Sequence, residues 1–131
     1  MSSWGITAIR VVVGIVFLMH GGQKLFVWGF GGVAAFMTRV GIPAPMMAAV
    51  VVTLVEFLGG LALLLGLFTR WAALPLAVNM AVAIVTVHLR HGFFLPNGYE
   101  FALTLLGANL ALVLLGSGGA SVDRLLESRR S

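Results

Sequence analysis

Charged residues are spaced so unevenly along this chain that the gaps between them define its elements. Residues 71–89 and 101–122 contain no Asp, Glu, Lys or Arg, and residues 40–69 contain one, Glu56. Residues 5–28 hold Arg10 and Lys24 among apolar and small side chains. A helix that crosses a bilayer needs about 20 mostly apolar residues. The gaps therefore predict four spanning helices, over about 5–28, 46–68, 71–90 and 99–117. Barrel strands alternate and are about ten residues long, so these runs are not strands. Punctuation agrees: Gly29-Phe30-Gly31-Gly32 and Pro43-Ala44-Pro45 precede the second helix, and Pro96-Asn97-Gly98 precedes the fourth. The turn at Phe68-Thr69-Arg70 is short enough to make the second and third helices antiparallel neighbours. Residues 33–40 predict a short helix in the membrane interface, and 118–131 a polar basic tail. The first segment has no basic leader, is too long and contains an arginine, so it reads as a helix and not as a signal peptide. The expectation is an all-α membrane protein, an antiparallel up-down bundle of four transmembrane helices in a single domain over 1–131.

Composition points the same way. Of 131 residues, 60% are hydrophobic and 9% charged, with a mean hydropathy of +1.10. A water-soluble fold of this size needs a polar shell that so few charges cannot supply. Soluble enzymes and disordered chains are excluded, and the bilayer is the first partner. Lys and Arg are scattered singly outside the tail, which excludes nucleic acid. Without cysteine there are no disulfides, thiolate metal sites or dithiol chemistry, and any redox role must borrow an external cofactor. Near the predicted helix ends, Arg10, Arg70, Arg124, Arg129 and Arg130 fall on one side, against Lys24, Arg39 and Arg90 on the other. That bias predicts a multi-pass plasma-membrane protein with both termini in the cytoplasm. Glycines at 14, 21, 59, 60 and 66 suit close packing within one protomer or in a homo-oligomer. Recurrence of His-Gly-Phe elements after the first and third helices, and of Glu-Phe in the second and fourth, suggests a duplicated hairpin.

Ionisable groups inside a span are costly, so each one is a candidate for function. Glu56 lies near the middle of the second helix, where its carboxyl must be protonated or paired. Arg10, Gly14, Phe17, Gly21 and Lys24 repeat at helical spacing along one stripe of the first helix. Arg10 is the expected partner of Glu56, either as helix glue or as part of a polar pocket. A second group, His20, Gln23, Lys24, His88, Arg90, His91, Tyr99 and Glu100, converges at the other membrane face if the helices alternate in direction. The candidate catalytic residues are Glu56, His20 and His88, and the candidate ligand-binding residues are Arg10, Lys24, Glu100 and Tyr99. Asn79 and Asn109 read as hydrogen bonds between helices. No metal site is expected: there is no HExxH-type motif, and three histidines give little selectivity for metal or haem.

Several runs carry a resemblance. Arg10-x3-Gly14, His20-Gly21-Gly22-Gln23-Lys24-Leu25-Phe26, Gly41-Ile42-Pro43-Ala44-Pro45 and Glu56-Phe57-Leu58-Gly59-Gly60 come first. Leu65-Gly66-Leu67-Phe68-Thr69-Arg70, His88, Gly92-Phe93-Phe94, Gly98-Tyr99-Glu100 and Gly116-x-Gly118…Ser121-x-Asp123 complete the set. Together they resemble the DoxX family of small four-helix membrane proteins over nearly the whole chain. The resemblance implies a place in membrane oxidoreductase assemblies. Relatives are tied to an archaeal thiosulfate:quinone oxidoreductase, to a mycobacterial complex of oxidative and thiol stress, and to quinone or catechol tolerance. On that footing the chain is a subunit that binds quinone or relays protons and electrons, with soluble oxidoreductase partners and no redox cofactor of its own. Two alternatives stay open: a non-enzymatic membrane anchor for soluble partners, and a carrier of a small amphipathic molecule or lipid.

Overall fold

The computed structural model describes residues 2–130. Helix α1, Ser2–Gly22, widens into a π-helical turn at Gln23–Trp28 and continues as α2, Gly29–Arg39. Helix α3 spans Pro45–Leu65. Helix α4, Thr69–Ala83, likewise widens into a π turn at Ile84–His88 and closes with a 3-10 turn at Leu89–His91. Helices α5, Glu100–Leu115, and α6, Val122–Arg130, complete the chain. The described residues contain no strand. The continuous helical stretches Trp4–Arg39, Pro45–Leu65 and Thr69–His91 are long and apolar enough to cross a membrane, and α5 is a shorter apolar helix.

Two predicted features change. The glycines at 29–32 are not a loop: they open α2, and the bend from α1 is made by Gly29, whose φ of 71° lies in the left-handed region open to glycine. Residues 122–130 of the predicted polar tail are helical.

Glycine sets the closest contact in the bundle. A Cβ at Gly21 would land on the backbone of Phe57, and one at Gly60 on that of Leu18. At Gly14 a Cβ would lie 2.7 Å from the Leu64 amide nitrogen. These three pairs run in opposite senses along the chain, so α1 and α3 are antiparallel and touch backbone to backbone, as small residues permit in lipid. Around that seam Val13, Phe17 and Leu63 pack with Ala73, Leu76 and Met80 of α4 and with Ala102, Leu105 and Leu112 of α5. A second, smaller cluster joins Val33, Ala34 and Met37 of α2 to Ala49 of α3.

The bundle has two polar ends. At the end that carries α6, the 116–123 segment is stapled across the helix termini. The Thr7 hydroxyl oxygen accepts from Gly119 N at 2.9 Å, and Arg10 Nη1 donates to the Ser117 carbonyl at 2.5 Å. Asp123 accepts from Phe68 N at 2.6 Å and Thr69 N at 2.8 Å, capping the start of α4, while its own N–H donates to Gly66 O. Phe68 has a φ of 49°, a conformation that costs an L-residue about 1–2 kcal/mol and that these bonds hold in place. The opposite end holds the candidate site.

Candidate functional site

The register of the α1–α3 seam decides which cation meets Glu56. Gly21 sits on the Glu56–Phe57 backbone, so Lys24, one helical turn further on, reaches the carboxylate. Lys24 Nζ donates to Glu56 Oε1 at 2.6 Å, and Asn79 Nδ2 donates to Oε2 at 2.8 Å from α4. Glu56 is 5% exposed and has a cation on one oxygen and an amide on the other. The expected Arg10–Glu56 pair does not form. Arg10 lies on the same stripe and is equally buried, but it precedes Gly21 by about 16 Å of helical rise. It belongs to the staple at the far end, where Asp123 is the acidic charge acting on it.

The Lys24–Glu56–Asn79 triad forms part of the wall of a cavity of about 620 Å³ between α1, α2, α3, α4 and α5. Such a volume is typical of sites for small organic ligands. Phe17, Met80, Ala102 and Leu105 line its depth, and Trp28, Phe36, Met37 and Phe101 its flanks. His20 lines it from an exposed position, its ring 6.1 Å from that of Phe101 on α5. His88 lines it from α4's π turn, with Nδ1 3.2 Å from the Asn97 carbonyl. A carbonyl can only accept, so Nδ1 carries a proton in this contact. Both π turns border this cavity, and extra-residue turns of this kind recur where helices build sites.

Of the seven sequence candidates, the structure brings four to this cavity: Lys24, Glu56, His20 and His88. Arg10 is at the opposite end. Glu100 and Tyr99 sit beside the mouth but outside its lining, and both are committed to the 92–100 loop. Glu100 Oε1 accepts from Leu95 N at 3.0 Å, and the Tyr99 ring stands edge-on to Phe93 at 5.3 Å. Arg90 donates to the Thr86 carbonyl at 2.7 Å, and Gln23 and His91 are exposed. Asn109 turns back on its own helix, donating to Leu105 O.

Sequence reasoning missed three lining groups: Asn79 as a direct partner of Glu56, Thr86, and Arg39 at the end of α2. For Asn79 a signal existed. Glu56 and Asn79 lie at nearly equal chain distances on either side of the Leu67–Phe68 turn, so an antiparallel hairpin sets them level. Arg39 had no such signal, because its place depends on the bend at Gly29. Among the described residues no group of three or more His, Cys, Asp or Glu could hold a metal ion.

The chain has relatives among known proteins. The DoxX family profile matches residues 5–89. The "Inner membrane protein YqjF" of Escherichia coli is 35% identical, with 95% of this chain and 94% of that protein aligned. A membrane protein of Mycobacterium tuberculosis is 39% identical over 95% of this chain and 82% of its own length. The Bacillus subtilis protein named "Putative oxidoreductase CatD" is 34% identical over 91% of this chain and 84% of its own. No solved structure matches the chain significantly.

Proposed function

This chain belongs to the DoxX family of membrane proteins, and we propose that it is the quinone-binding subunit of a membrane oxidoreductase assembly. The observation that carries the reading is buried Glu56 held by half-buried Lys24 and Asn79 in the wall of a cavity whose lining includes two histidines. A quinone head group needs a hydrogen-bond donor at a carbonyl and a route for protons once electrons arrive. His20 donates to one carbonyl, and the Lys24 ammonium stabilises the negative charge that develops on reduction. Each quinone takes two electrons and two protons. The electrons come from a soluble oxidoreductase partner. Glu56 exchanges protons with the bound head group, and His88, held through Nδ1 to the Asn97 carbonyl, passes them to the mouth. Aromatic and aliphatic side chains on the cavity flanks accept the ring and the start of the tail. The relative named as an oxidoreductase supports this class of chemistry. The protein spans the plasma membrane with the stapled end, which carries Arg70 and Arg124, in the cytoplasm.

The test is quinone binding by the purified full-length chain, followed by native mass spectrometry and by titration. Wild type retains quinone, and Glu56→Gln and His20→Ala each weaken binding at least tenfold. Absence of retained or added quinone, or equal binding by both variants, overturns the proposal.

A further inference from the structure

The charges lining the cavity do not balance. Lys24 and Glu56 neutralise one another. Arg39, also in the lining, has no carboxylate within ion-pair distance among the described residues, and its guanidinium lies 5.8 Å from the centre of the Phe36 ring. Glu100 stands beside the mouth, but its carboxylate already holds the Leu95 amide. His20 and His88 add no negative charge. One exposed arginine therefore borders, without a carboxylate partner among the described residues, a space whose remaining walls are largely apolar.

We infer that this cleft takes an amphipathic ligand with an anionic head group, which Arg39 binds while the tail lies along Trp28, Phe36 and Phe101. The inference rests on the reading that the cavity is a ligand site and not on the ligand being a quinone. Access favours a molecule already in the bilayer. The exposed lining residues include Phe101 of α5 beside His20 of α1, and Phe36 of α2 with Val82 of α4, so the cleft is reached between helices through apolar edges. A planar guanidinium pairs with carboxylate or phosphate through two parallel hydrogen bonds. A neutral head group leaves that capacity unused, and a zwitterionic one brings a second cation towards it. The shared chemistry is an anion on an apolar body, supplied by a fatty acid, an anionic phospholipid or an ionised phenol.

Trp28 lines the cavity and reports on it. With Trp4→Phe and Trp71→Phe it becomes the sole tryptophan of the full-length chain, purified in a non-ionic detergent. Its fluorescence is quenched by dibromostearate, by the methyl ester of that acid, and by dibrominated phosphatidylglycerol and phosphatidylcholine, each in saturable titration against its unbrominated form. The acid binds at least tenfold more tightly than its ester, and Arg39→Gln reduces it to the level of the ester without shifting the melting temperature. Preference for phosphatidylglycerol over both phosphatidylcholine and the acid identifies a phospholipid as the source; preference for the acid identifies a single-chain ligand. Equal binding of acid and ester, or a preference that survives Arg39→Gln, overturns the inference. Displacement by a neutral quinone separates the two readings. Acid preference without displacement sinks the quinone proposal alone, and displacement without acid preference sinks this inference alone.

Discussion

Replacing Lys24 with methionine removes the nearest cation from a carboxylate that is 5% exposed. Glu56 then keeps one donor, the Asn79 amide at 2.8 Å. Removing one partner of a buried ion pair costs about 3–5 kcal/mol. One feature of this site reduces that figure. The Lys24 side chain is 18% exposed, so the pair is not fully desolvated to begin with. The expected loss for Lys24→Met is about 2–4 kcal/mol at pH 7. Glu56→Gln leaves an ammonium that can swing into the cavity and costs less, about 1–2 kcal/mol. The pair changed together falls short of the sum by about 2 kcal/mol, the coupling of a close, partly desolvated contact. Reversible unfolding in mixed micelles at pH 7 on the full cycle measures all of these. A larger coupling of Glu56 to Arg10 than to Lys24 would refute the register on which the site is built.

Gly21→Leu should drive α1 and α3 apart and cost at least about 1–3 kcal/mol, seen as a lower melting temperature, whereas Gly107→Ala, facing open space, should be neutral or slightly stabilising. Asp123→Ala should remove the cap of α4 at a cost of about 1–2 kcal/mol, with faster hydrogen exchange concentrated at the Phe68 and Thr69 amides. An Asp123 variant whose protection there is unchanged would show that the staple does not cap the helix.

Much of this architecture is legible in the pattern of residues. Charge-free gaps locate the long apolar helices because a buried charge is costly wherever it falls. The helical period correctly places Arg10, Gly14, Phe17 and Gly21 on a buried face of α1. The same period cannot say which end of that stripe faces Glu56. That depends on the axial register of two helices, set by three glycines pressing on a neighbouring backbone. The π turns are illegible for a related reason: one extra residue in a turn changes no composition, yet it alters the phase of everything after it. Glu100 and Tyr99 were placed at the correct end, but the local loop had already claimed their polar and aromatic contacts.

The staple joins Thr7 and Arg10 to residues 117–120, partners separated by 107 to 113 positions. Those partners follow α5 in the chain, so they are made after all the apolar helices that precede them. The first helix therefore waits, with its arginine partly unsatisfied, until the segment after α5 is made. The clasp closes only when the start of α1 and the segment after α5 lie at the same end of the bundle, so it ties the beginning of the apolar core to its close.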